Sequence, residues 1–238
     1  MQHVTFFKDG QPVSRERLMG MEIHRARRMM ALFMRKLGSQ GMADLFASEI
    51  SEMAMKEHGW TEASAGRMVA SIAQVRVREG SAAEFVQWFL AGYMGRNAPA
   101  MMRAHPEHLG ALVLEDGRIG ILEVPGHTDL PAKLHLRRLD SWPAGAPDEL
   151  DPSMPIRMMG RSETPDGKVC GYLLHQFRET DPGFEARLAI YWPASTPHQL
   201  VEGHADHLML EFNNWLCAYL ETRHQNGDLM PVALGVNC

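Results

Sequence analysis

An α+β fold is predicted, with one long helix laid across a curved antiparallel sheet. Three observations predict it. Apolar residues recur at helical spacing through most of the first hundred positions. From about residue 108 the texture changes to short strand-like runs divided by turn sequences. From Gly203 the helical spacing returns. Helices, then strands, then one helix describe segregated layers rather than alternating βαβ units.

Ser14 is placed to cap a first helix whose apolar residues are Met19, Ile23, Met30 and Phe33. Gly38 and Gly41 mark a break. A second helix is expected from Met42 to near Gly59, carrying Leu45, Phe46, Ile50 and Met53. Thr61–Ala73 is also expected to be helical. Ser81 with Glu84 forms a capping-box pattern ahead of Phe85, Trp88, Phe89 and Tyr93, and Gly95 to Pro99 closes that helix. The chain divides into an N-terminal helical region, 1–80, and a second region, 81–238, that holds the sheet and the closing helix.

Residues 109–115 and 118–124 flank Asp116-Gly117, a hairpin signal. If Glu115 pairs with Arg118, His108 and Glu123 fall on one face as diagonal neighbours, roughly 7–8 Å apart. Further strands are expected at Lys133–Leu139, Ile156–Ser162, Lys168–Glu179 and Phe184–Trp192, with turns at Pro165-Asp-Gly167 and Thr180-Asp-Pro-Gly183. Ser141–Pro147 is expected to be a loop. In the closing helix Leu208, Phe212, Trp215, Leu216 and Tyr219 form one apolar stripe, and His207 and Glu211 stack one turn apart beside it.

The formal net charge of -5 argues against nucleic acid as a partner, and Lys and Arg form no long block. No apolar run approaches the roughly 18 residues of a membrane span, and the N-terminus lacks the features of a secretory leader. Cys170, Cys217 and Cys238 show no paired spacing and no CxxC, so the expected compartment is the cytoplasm.

His108 and Glu123 from the hairpin, with His207 and Glu211 from the helix, make a candidate metal site. Two neutral imidazoles and two carboxylates balance a divalent ion, and Zn²⁺ takes such ligands, though another divalent metal is possible. His105 is an alternative to His108. His204, one turn before His207, is either a further ligand or a group that holds a carboxylate in place.

Trp88-Phe89, His105-Pro-Glu-His108, Ile121-Leu-Glu123, His175 to Arg187 and His207 to Leu216 together resemble the diacetylphloroglucinol hydrolase and phloretin hydrolase family, over about residues 84–221. The resemblance implies a helix-grip (Bet v 1-like) domain with added N-terminal helices. It implies zinc held by His108, Glu123, His207 and Glu211. It also implies hydrolysis of the carbon–carbon bond between an acyl group and a polyhydroxylated ring, so the expected substrate is a small apolar aromatic or diketone. His175 is then the candidate proton donor, because imidazole suits proton transfer near neutral pH. His204, Tyr191 and Arg187 are the candidate substrate-binding residues, Arg187 having an ion pair within the sheet as its other reading. A homodimer is expected through the apolar N-terminal helices. The alternative function is a helix-grip carrier of small molecules whose metal is structural or vestigial. Where the family has aromatic residues before the first ligand, this chain has Met101, Met102, Arg103 and Ala104, which favours the carrier.

Overall fold

The computed structural model describes residues 4–93, 101–115, 117–148, 150–164 and 166–226. It opens on a hairpin of β1 (Phe6–Lys8) and β2 (Gln11–Val13). The turn is Asp9-Gly10, both at positive φ (52° and 76°), as a two-residue primed turn requires.

Helix α1 (Arg15–Leu45) starts at Ser14, whose Oγ accepts from Arg17 N at 3.1 Å. Gly38 interrupts it with φ 65° and ψ 176°, the expected break. Helix α2 (Ala47–Ser64) stops at Ala65, which is left-handed. The predicted helix over Thr61–Ala73 is therefore corrected. After Ala65 and Gly66 turn the chain at positive φ, Met68–Val77 is a strand, β3. It gives the large sheet a strand from within residues 1–80. Met19, Ile23 and Phe33 on α1 each remain about half exposed, whereas Met30 and the buried Met42 of the same helix pack with Leu109 and Leu122.

Helix α3 (Ala82–Tyr93) follows. Ser81 Oγ does meet Glu84 N, at 3.4 Å. The stronger cap, however, comes from a carboxylate across the fold. Glu179 accepts from Ser81 Oγ and from the backbone N of Ala82 and Ala83 at 2.8–3.1 Å. Glu84 is thereby freed to accept from Tyr219 OH at 3.0 Å. The expected end at Gly95–Pro99 lies outside the described residues.

Six strands then run in meander: β4 (His108–Val113), β5 (Ile119–Glu123), β6 (Ala132–Arg138), β7 (Ile156–Glu163), β8 (Val169–Glu179) and β9 (Phe184–Pro193). The sheet is antiparallel throughout, with the order β3-β9-β8-β7-β6-β5-β4, so β3 closes it against the last strand. Register shifts at His108/Gly110 and Ser162/Glu163 help to curve it.

Helix α4 (His198–Asn226) lies across this sheet. Leu208, Phe212, Trp215 and Tyr219 meet Phe177, Phe184, Ala186 and Leu188 from β8 and β9, with Phe85 of α3 wedged between. Each of the leucines and phenylalanines among them contributes about 1.5–3 kcal/mol by leaving water. The outcome is the predicted α+β class: a seven-stranded antiparallel curved sheet with a C-terminal helix. Among the described residues no helix is long and apolar enough to cross a membrane.

Candidate metal centre

The hairpin β4–β5 does not have the predicted register. Val113 pairs with Ile119 and Gly110 with Leu122, one residue away from expectation. Leu114 N donates to Arg118 O and Gly117 N to Leu114 O, so the connection is longer than a two-residue turn. A uniform slip would put His108 and Glu123 on opposite faces. The bulge between His108 and Gly110 restores the alternation, and His108 ends directly opposite Glu123 rather than diagonal to it.

Helix α4 brings the other pair, and its own side chains hold the segment before β4. Trp215 Nε1 donates to Met101 O at 3.0 Å, and Asn214 Nδ2 donates to Ala104 O. The first turns of α4 press against the loop after β5. A Cβ on Gly203 would lie 2.3 Å from His127 N, and one on Gly126 would lie 2.2 Å from Leu200 O. Glycine at these two places lets the two elements close up around the centre.

His108 Nε2 lies 3.1 Å from His207 Nε2, 3.5 Å from Glu123 Oε2 and 3.3 Å from Glu211 Oε2. His207 Nε2 is 3.9 Å from each of those carboxylate oxygens. Ligands about 2.0–2.1 Å from a tetrahedral ion are about 3.3–3.4 Å apart, so these separations suit His108, Glu123 and His207 around one cation, with Glu211 reaching the same two imidazoles from its own side. All four residues are buried. His108 Nδ1 sits 3.2 Å from Met102 O, which only accepts. A neutral His108 therefore carries its proton on Nδ1 and turns a lone pair on Nε2 toward the centre. The described residues thus contain a buried His/Glu group able to hold a metal ion.

The electrostatics agree. Burial pushes the Glu123 carboxyl above its usual range, even against the neighbouring imidazoles. Burial pulls the other way on His207, but the carboxylates of Glu107, Glu123 and Glu211 outweigh it and raise its pKa to about 9. Among the described residues neither Glu123 nor Glu211 has a Lys or Arg partner. With its pKa raised, His207 is itself the positive charge beside these carboxylates near neutrality, so a metal ion would bind there by displacing that proton.

Around these four lie two more imidazoles. His105 stacks on His207 at 3.7 Å between ring centroids, and Glu107 Oε2 lies 3.6 Å from His207 Nδ1. His105, Glu107 and His207 thus form a second His/Glu group on the far side of the His207 ring. The partner opposite Glu123 is His108, not His105. His204 is buried, stacks on His207 with centroids 4.9 Å apart and meets Trp192 edge-on. Burial and the neighbouring His207 keep it neutral, and its Nδ1 has no hydrogen bond among the described residues.

Beside the centre the sheet and α4 enclose a cavity of about 340 Å³. His108, Glu123 and Glu211 form its polar end, and Leu134, Met158 and Phe212 are part of its apolar wall. His175 borders it. Its Nδ1 accepts from Ala189 N at 3.2 Å, which leaves the proton on Nε2. Burial lowers its pKa to about 3, so near neutrality it is an uncharged hydrogen-bond donor.

The structure does not bring Arg187 to the centre. It alternates with Leu188 on β9, so it leaves the sheet on the opposite face and pairs with Asp148 at 2.8 Å, the ion-pair reading. Tyr191 borders the cavity, but its hydroxyl donates to Asp148 Oδ2 at 2.7 Å and accepts from Arg187 at 3.3 Å. Cys170 is buried and its thiol is pushed up to about 12, which removes it as a nucleophile.

Two residues near the site carry no assignment from sequence. Glu107 lies inside the His105–His108 motif and needed only its distance to His207. Glu57 borders the cavity from α2. Its signal was present, four residues after Met53 and three before Trp60 on the inward stripe of a helix. No family model and no curated protein matches this sequence.

Proposed function

We propose that this protein is a metal-dependent hydrolase that cleaves the bond between an acyl group and a polyhydroxylated aromatic ring. The observation that carries the reading is the meeting of His108, Glu123, His207 and Glu211 at the polar end of an apolar cavity. The strand order and crossing helix are compatible with a helix-grip domain, the fold that the resemblance implies. The donor set fits zinc in type and spacing. When bound, such an ion supplies Lewis-acid polarisation of the acyl carbonyl.

The chain's own residues do the rest. Phe212, Leu134 and Met158 exclude water from the ring and favour a small aromatic or diketone guest. His175 Nε2–H donates a hydrogen bond to an oxygen of that guest, a role that needs no charge. The Glu107 carboxylate lies 3.6 Å from the outer nitrogen of His207 and acts on it through charge, and His108 is oriented by Met102 O. The half-exposed apolar face of α1 supports a homodimer, with a second copy of the chain covering it.

The second reading is a small-molecule carrier. It is favoured by Arg187 and Tyr191 being tied to Asp148, which takes both of these candidate substrate-binding groups away from the cavity. Incubation of the zinc-loaded protein with diacetylphloroglucinol and phloretin decides between them. Stoichiometric release of the free ring and the carboxylic acid is the expected result. Saturable binding without release would establish the carrier.

A further inference from the structure

Helix α2 turns Met53, Glu57, Trp60 and Ser64 toward the sheet. Met53 and Ser64 are fully buried, and Trp60 packs with Trp192 and Leu200. Acidic residues elsewhere on the helix have partners: Glu52 pairs with Lys56 at 2.7 Å and Glu62 with Lys168 at 2.5 Å. The Glu57 carboxyl has none among the described residues; only its backbone carbonyl accepts, from Thr61. It borders the same cavity as His108, Glu123 and Glu211, and enters it from a different element. Glu57 is half-buried, and the unpartnered carboxyl it turns to a largely apolar cavity is costly there unless it is neutral or meets a ligand.

We propose that Glu57 is the proton-transfer residue of this cavity. The proposal rests on the hydrolase reading. Hydrolysis adds the oxygen of water to the acyl carbon and breaks the ring–acyl bond, whose electron pair stays on the ring. The ring carbon then needs one proton, and the attacking water must lose one. The Glu57 carboxyl gives the first and recovers the second, so the residue ends as it began.

The surroundings suit that cycle. The titratable groups acting on Glu57 from other elements are Glu123 of β5 and Cys170 of β8, with His204 of α4 on the same cavity wall. Burial, and then the charge of Glu123, bring its pKa to about 7, where a carboxyl can both give and take a proton. His175 is unsuited to the task because Ala189 N occupies its Nδ1 and burial keeps it neutral.

The test uses the full zinc-loaded chain as wild type, Glu57→Gln and Glu57→Asp, with metal content and melting checked first. Glu57→Gln should keep its zinc and lose about 10²–10⁴-fold in turnover of diacetylphloroglucinol, together with the pH limb near neutrality. Glu57→Asp should keep that limb with a smaller loss, and it carries the test if Glu57→Gln fails to fold. Phloroglucinol binding, followed through the cavity tryptophans, should change across neutrality in wild type and stay flat in Glu57→Gln. Wild-type turnover by a folded Glu57→Gln protein overturns the proposal and leaves the hydrolase reading standing. If wild type never releases the ring, the hydrolase reading falls. In that case a binding transition that is lost in Glu57→Gln still supports proton exchange with the guest, and an unchanged transition overturns it.

Discussion

Glu123 and Glu163 are equally buried, each 5 % exposed, and both belong to the same sheet. Their surroundings are opposite. Glu163 leaves the outer face and accepts from three arginines: Arg161 at 2.6 Å, Arg118 at 3.3 Å and Arg137 at 3.4 Å. Burial works against its charge, but the hydrogen bonds from Arg161 and Arg137 outweigh burial and hold its carboxyl below the usual range. Glu123 faces inward beside two imidazoles and a second carboxylate, and its carboxyl is pushed up. Burial alone therefore does not mark a site. A buried carboxylate with its own cations is part of the structure, whereas one gathered with imidazoles and another carboxylate is able to hold a cation.

Four substitutions sharpen or break that contrast. The largest effect is expected on the inner face, where His207→Ala or Glu123→Ala takes bound metal from stoichiometric to undetectable by elemental analysis. On the outer face Glu163→Gln should cost about 2 kcal/mol in urea unfolding, because it removes the charge that accepts from three arginines, with metal content unchanged. Metal loss in Glu163→Gln would remove the distinction between the faces. A smaller effect is expected for Glu107→Gln, which keeps the ligands but removes the charge beside the outer nitrogen of His207. Metal affinity in chelator competition should fall about 10–100-fold.

The effect most confined to one condition, acid pH, is a stability slope. His175 has its pKa lowered to about 3, against an ordinary 6.5. Above 6.5 it is neutral both folded and unfolded and contributes no slope. As pH falls below 6.5 the unfolded chain binds a proton that the folded chain refuses. Stability then drops by about 1.4 kcal/mol per pH unit until about pH 3. A series of unfolding curves should show His175→Gln to be flatter than wild type in that window. Identical slopes would mean that His175 is not held neutral.

Local chemistry made much of this legible. Strands β6 to β9 match their expected ranges to within a residue at each end, because each combines a clear period with flanking turn residues, while helix α4 begins five residues before the Gly203 at which the helical spacing returns. The strand β3 was not found. Met68, Val69, Ala70, Ile72 and Ala73 form a run without a clean alternation, and the partner strand lies more than 100 residues later. The pairing of His108 with Glu123 was anticipated on one face, but the mechanism differed. Sequence suggests a diagonal in a regular hairpin, whereas a one-residue shift cancelled by a bulge produces a direct pair. Nothing local announces such a bulge. Arg187 and Tyr191 show a related difficulty. Their side chains read as polar groups near the motif, but strand alternation sends Arg187 to the outer face and Asp148 claims both.

The central claim is that two imidazoles and two carboxylates from β4, β5 and α4 share one ion. X-ray absorption at the zinc edge of the loaded protein tests it most directly. The account predicts two histidine nitrogens and two carboxylate oxygens at about 2.0–2.2 Å, with one imidazole lost in His207→Ala. A sulfur scatterer, or a shell without imidazole, would contradict it.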